Sequence, residues 1–326
     1  MTLSPFLSLF FFVVLGIKTF YLLPLNSYSM LSRRRFIAQN SIWALAAFIP
    51  SAKSKTYRMG YSAITWGGKD EQAIEELAAL GYKGIQLRAN TYAKYKDNPA
   101  DLKMLLDAKG LSLVMFSSGN VEIDPAKKEA NAAMHLNHAR FVKALGGTSI
   151  QLTNSLRKNN IPPTADELAR LAAAMNEIGT LTKEIGIQAT YHNHMNQYGE
   201  TPEEVDALVK AMNPKYVRLL LDVAHYHQGG GKPAEAVIKY QQVLHSLHVK
   251  DVECPIKGDS NPKSYKFVEL GQGNVDLVAV FAALDKIKFA GWTIVELDGV
   301  PDKAKTPNQC AQISKDFLQA KIAYQF

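Results

Sequence analysis

The chain has 326 residues, 47% of them hydrophobic and 21% charged, with a formal net charge of +7 and two cysteines. Cys254 and Cys310 permit at most one intramolecular disulfide, which excludes a disulfide scaffold and leaves the fold to an apolar core. Six of the positive charges and no acidic residue fall in residues 1–55, so the rest carries +1 and lacks the basic surplus of a nucleic-acid partner.

Residues 1–55 read as an export leader, and residues 56–326 as the folded domain. Phe6 to Ile17 is an apolar run ended by Lys18, shorter than the roughly 20 residues that a membrane helix needs. Met30 then precedes Ser32-Arg33-Arg34-Arg35-Phe36-Ile37, which matches a twin-arginine signal, so residues 1–29 read as an over-called start, with a membrane anchor as the rival reading. Ser41 to Pro50 is moderately apolar, and small residues at Ala52 and Ser54 offer a cleavage point. The expectation is a mature protein without a membrane span, exported to the periplasm or its equivalent.

From Tyr57 the chain alternates two kinds of pattern. Strands are expected at Arg58–Trp66, Gly84–Arg88, Ser112–Ser117, Thr148–Thr153, Gln188–His194, Val217–Asp222, Ser246–Lys250 and Thr293–Leu297. Helices are expected at Glu71–Leu80, Ala100–Ala108, Ala126–Leu145, Ala165–Ile185, Pro202–Met212, Ala234–Leu244, Asp276–Ile287 and Asn308–Ala323. Leu168, Leu171, Met175 and Ile178 recur at helical spacing, and glycines at 81, 110, 146, 186 and 291 follow helices where a left-handed cap favours them. Eight βα units in one domain of this size predict a single α/β domain, a (β/α)8 TIM barrel. A doubly wound sheet would carry a Gly-rich phosphate turn after its first strand. Here that strand leads to Trp66-Gly67-Gly68-Lys69-Asp70, and Gly271-Gln272-Gly273 reads as a tight turn before an Asn274 or Asp276 cap.

Four successive strands end in metal-ligand residue types: His192, Asp222, His248 and Glu296. Side chains two apart on a strand share a face, so His192 and His194 point one way, as do His248 and Lys250. Converging at a barrel mouth, His192, Asp222, His248 and Glu296 can hold one divalent cation. Mixed nitrogen and oxygen donors suit Mn²⁺, Co²⁺, Zn²⁺ or Fe²⁺ better than Ca²⁺.

The ordered set Gly84-Ile85-Gln86-Leu87, Tyr191-His192-Asn193-His194, Leu221-Asp222-Val223-Ala224-His225, Leu247-His248-Val249-Lys250-Asp251, Gly271 to Asp276 and Val295-Glu296 resembles the xylose isomerase-like sugar isomerase/epimerase family of TIM barrels. The resemblance implies that Asp222, His248 and Glu296 are ligands and that His225 meets substrate or a second metal. Two positions depart from it: His192 stands for the first glutamate of a proton-exchanging pair, and Gln86 for a second-strand glutamate. A His-rich fifth strand is similar to the subset near inosose dehydratase and keto-sugar lyases.

The activity expected from the resemblance is metal-assisted removal of a proton beside a carbonyl of a non-phosphorylated keto-sugar or glycoside. Glu296, His194, His225 and Lys250 are the catalytic candidates, and a small sugar is the partner. Isomerisation or epimerisation returns the proton; a lyase or dehydratase instead expels a β-substituent. A carbohydrate-binding barrel without turnover is a further alternative. His135 and His138 on the third helix are expected at the surface, and His245 at a helix end that favours positive charge. His227, Glu122 and Asp124 are candidates for the rim.

Overall fold

A computed structural model describes residues 55–157 and 161–326. The twin-arginine run, the apolar run before it and the cleavage point lie outside the described residues. Eight parallel strands close into a barrel: β1 (Arg58–Ser62), β2 (Gly84–Arg88), β3 (Ser112–Asn120), β4 (Ser149–Thr153), β5 (Gln188–His192), β6 (Val217–Asp222), β7 (Leu244–Val249) and, last in the chain, β10 (Trp292–Val295). Each strand neighbours its sequence neighbour, and β10 closes the ring between β7 and β1.

Helices α1 (Asp70–Ala79), α2 (Ala89–Tyr95), α3 (Pro99–Ala108), α4 (Lys128–Ala144), α5 (Ala165–Glu184), α6 (Pro202–Ala211), α7 (Val223–Gln228), α8 (Pro233–Lys239), α9 (Leu277–Lys286) and α10 (Pro307–Ile322) make up the helical layer. The main core lies between this layer and the strands; α5 contributes the buried residues Leu168, Leu171, Met175 and Ile178. A separate small cluster of Val114, Met115, Leu220 and Ile294, with Trp292 against it, is what a filled barrel interior requires. Gly84 is required there, because a Cβ would lie 2.7 Å from both Trp292 and Val114.

Several boundaries differ from expectation for local reasons. The first strand stops at Ser62, and Ala63–Trp66 turn as a 3₁₀ segment that ends on Gly67 at φ 62°. The fifth strand stops at His192, and the helix expected to reach Leu244 ends at Lys239. Two short strands, β8 (Asp251–Glu253) and β9 (Lys266–Val268), form an antiparallel hairpin after β7. Asp251 anchors it: its carboxylate accepts from the backbone N–H groups of Val252, Gly271, Gly273 and Val275 at 2.9–3.1 Å. The Gly271–Gly273 turn is therefore structural, and Asp276 caps α9 through the Ala279 N–H.

His135 and His138 are not at the surface. Both are buried between α4 and β3, with each Nδ1 on the Ser118 hydroxyl at 2.6 and 2.9 Å, and His135 Nε2 reaches the Asn120 carbonyl. His245 is the second residue of β7 rather than the end of a helix. It is bonded to the Ser149 hydroxyl, and burial, helped by Arg218 and Lys183, lowers its pKa to about 4, so it is neutral. Cys310 is a buried core residue, as expected.

Candidate metal centre

His192 is the last residue of β5, Asp222 the last of β6, His248 lies near the end of β7, and Glu296 follows β10. Lateral register places Asp222 directly beside His248, and His248 beside Ile294, two residues before Glu296. All four are buried, and one ligand atom from each lies within 4.8 Å of the others. His248 Nδ1 stands 3.3 Å from Glu296 Oε1 and 3.6 Å from Asp222 Oδ2.

Whether these residues fit a cation is decided by their unused atoms. His192 Nδ1, His248 Nδ1 and Asp222 Oδ2 are buried without a hydrogen-bond partner among the described residues. Orphaned buried polar atoms are costly and uncommon. Two imidazole nitrogens and a carboxylate oxygen, with Glu296 as the fourth donor, form a set that suits a divalent transition-type ion. The donor set fits.

The surrounding residues hold these donors in place. Asp222 Oδ1 caps α7, accepting from Ala224 and His225 N–H at 2.9 Å each, so Oδ2 is left toward the centre. Asn193 points away from His192 and stitches β5 to β6: its amide accepts from Asp222 N–H and donates to Asp222 C=O. Gln86 spans the barrel from β2. Its Nε2 donates to Gln151 at 2.9 Å and, more weakly, to Glu296 at 3.4 Å, which leaves Oε1 to accept from His248 Nε2 at 2.8 Å. His248 therefore donates from Nε2, which turns Nδ1 toward the centre, where a bound cation would take the place of its proton. The amide at position 86 is a support for the His248 donor, a role hidden in the sequence.

Lys250, His225 and His194 lie on the side of β5 to β7. Lys250 is fully buried, with Nζ 2.6 Å from Asp298, 3.4 Å from Glu296 and 3.4 Å from His225 Nε2, and 3.9 Å from the centre of the Phe267 ring. Burial works against its charge, but Glu296 and Asp298 more than reverse this and push its pKa up. The same contest in His248 ends with its pKa at about 9, raised by Glu296 and Asp222. Glu296 is held well below the usual carboxylate range because His248 and Lys250 outweigh its burial. His192 and His225 go the other way: burial, then neighbouring positive groups, keeps both neutral. The His194 and His225 rings lie 3.8 Å apart, and His192, His194 and His225 form a second cluster of donors. A second cation there would meet the Lys250 ammonium beside His225, so the cluster suits a substrate oxygen better. His194 Nδ1 sits 2.6 Å from the Met195 carbonyl, which assigns it the proton and leaves Nε2 as a free base.

Among the other candidates, Glu122 and Asp124 line a separate rim cavity of about 500 Å³ with Arg157 and Arg170. His227 is half-buried and belongs to neither donor cluster. Asp298 was missed; its position two residues past Glu296 was the available signal.

A family model described as xylose isomerase-like TIM barrel matches residues 74–320. The chain belongs to that family. It is 29% identical over 297 residues to inosose dehydratase of Lacticaseibacillus casei, covering 82% of this chain and 98% of the relative. It is 26% identical over 316 residues to inosose dehydratase of Mesomycoplasma hyopneumoniae, covering 87% and 100%. Among solved structures, an IolI protein with a bound zinc atom superposes with a TM-score of 0.69 at 18% identity, over 82% of this chain and 98% of that one. A D-psicose 3-epimerase from Clostridium cellulolyticum superposes at 0.67 with 16% identity, over 81% and 99%. At these identities the two structures speak for the fold. The chain therefore has a sugar isomerase/epimerase-like barrel and relatives that are dehydratases, in a family of enzymes.

Proposed function

We propose that the chain is a divalent-metal-dependent lyase acting on a non-phosphorylated keto-sugar or keto-polyol, the class of compound named in its inosose dehydratase relatives. The carrying observation is the one-sided placement of the titratable groups outside the set of four donors. His194, His225 and Lys250 gather on the side of β5 to β7, while the wall at β2 and β4 presents the amides Gln86 and Gln151. Epimerisation needs a group that returns a proton to the opposite face of the carbon, and an amide holds none to give. Elimination needs a base on one face only.

His192, Asp222, His248 and Glu296 would hold the cation, which when bound supplies Lewis-acid polarisation of the substrate carbonyl. His194 Nε2 takes the proton from the carbon beside that carbonyl. The C–H electron pair becomes the new C=C bond, the β C–O bond breaks, and the leaving oxygen departs as water with the proton carried by His194. The Lys250 ammonium, held by Asp298, hydrogen-bonds the departing oxygen, and Phe267 keeps bulk water from it. Export through the twin-arginine run is part of the same reading, because free sugars are available outside the cytoplasm and a folded passenger carries its metal with it.

The experiment is incubation of metal-loaded protein with candidate keto-sugars in D2O, followed by NMR. Loss of a substituent with formation of an unsaturated ketone is expected. An epimer or isomer carrying deuterium, with no eliminated product, would replace this reading by the isomerase or epimerase one. The latter has its own supporting observation, the Glu296 carboxylate facing His192 within one donor cluster.

A further inference from the structure

A cavity of about 540 Å³ adjoins the centre on the side of the β8–β9 hairpin. Met195 forms the wall between them: its carbonyl holds His194, and its N–H lies 3.4 Å from His225 Nδ1. The facing wall is the hairpin, where Phe267 packs at 5.2 Å on His225 and at 5.6 Å on Tyr265. Tyr265 lines the cavity and is 38% exposed, an aromatic ring presented to solvent next to a reactive site.

Two further features define what would sit there. Gln228 follows His225 by three residues in α7, and both of its amide atoms are buried with no partner among the described residues. It lines the same cavity, so an unused donor and an unused acceptor lie side by side. The buried charge in the wall is already neutralised. Arg157 is paired with Glu200 at 3.0 Å and with both oxygens of Glu204 at 2.6 and 2.7 Å, and Lys263 at the lip is exposed. Among the described residues, a phosphate or carboxylate would find no free buried cation. A neutral molecule with one apolar face for Tyr265 and a hydroxylated edge for Gln228 matches this lining.

We propose that this cavity is a subsite for a second sugar ring, which makes the substrate a keto-glycoside of two rings instead of a free monosaccharide. The proposal rests on the lyase reading for the reaction, while the binding stands on its own. An aromatic ring and a planar amide lining one cavity hold a pyranose by its C–H face and a pair of neighbouring hydroxyls. The ring that reacts then lies over Met195 toward His194.

The test measures binding first, with maltose, cellobiose and trehalose against glucose, on the metal-loaded full chain by calorimetry or ligand-observed NMR. At least one disaccharide is expected to bind about tenfold more tightly than glucose, the value of one or two added hydrogen bonds. Gln228→Leu and Tyr265→Ala should each remove most of that advantage, and Tyr265→Phe should keep it, with unfolding temperature and metal content verifying that each variant is folded. Equal affinity for glucose and all three disaccharides, or an advantage unchanged in Tyr265→Ala and Gln228→Leu, overturns the subsite. Turnover of the corresponding keto-disaccharides is followed separately. Binding through Tyr265 and Gln228 without elimination would overturn the lyase reading and leave the subsite in place.

Discussion

At the scale of single residues, the centre is defined by atoms that lack partners. Asp222 uses one carboxylate oxygen to cap a helix and leaves the other unsatisfied; His248 uses Nε2 on Gln86 and leaves Nδ1 unsatisfied. Removing either donor should therefore remove the metal and not the fold. Asp222→Ala and His248→Ala are expected to purify with little bound metal and almost no activity. Gln86→Leu should still bind metal, with affinity lower by roughly 10- to 100-fold, as for other losses of a supporting hydrogen bond. Elemental analysis and competition with a chelator measure both effects; full occupancy in the first two variants would sink the centre. The four donors were legible because strand alternation puts residues two apart on one face, and register then aligns strand ends. Gln86 and Asn193 were not legible as partners. Their roles depend on contacts across the barrel or between adjacent strand ends, and no local spacing encodes those.

At the scale of elements, strands of four residues or more with helical patterns between them were readable, and the three-residue strands and the six-residue helix were not. α7 has six residues and begins on Asp222, so its cap was read only as a strand-end ligand. β8 and β9 have three residues each and are fixed by Asp251 rather than by a periodic pattern. The α4–β3 pair hid a different feature, because His135 and His138 face inward on a helix whose apolar stripe is weak. Burial lowers the pKa of His135 to about 4 and lowers that of His138 as well, so both are neutral in the folded chain. An unfolded histidine titrates near 6.5. Between those values the unfolded chain binds more protons, so stability is full above pH 6.5 and falls as the pH drops toward 4. For His135 alone the loss between pH 7 and pH 4.5 is on the order of 2 kcal/mol. His135→Gln should make denaturant midpoints less sensitive to acid over this range, whatever it costs at pH 7. Parallel pH profiles for parent and variant would mean that the Ser118 cluster does not control acid stability.

At the scale of the whole molecule, charge is divided unevenly along the sequence. The positive charges of residues 1–55, with no acid among them, account for most of the formal +7, while the barrel-forming remainder is close to neutral. The barrel was readable because eight repeats of one unit leave few alternatives, and because a missing phosphate turn removed the open-sheet rival. A twin-arginine leader, as proposed for residues 1–55, would be a different kind of signal, one read by export machinery rather than by packing. It follows that changing it should move the protein without altering its chemistry. Replacing Arg33 and Arg34 together by Lys keeps the charge and removes the paired guanidinium groups, which are not interchangeable with ammonium groups in recognition. The expected result is precursor retained in the cytoplasm, with metal content and turnover equal to those of the parent barrel. Cell fractionation with an activity assay measures both. Unchanged export of the double variant would mean that the apolar run from Phe6 to Ile17 directs the chain, and the twin-arginine reading would be withdrawn.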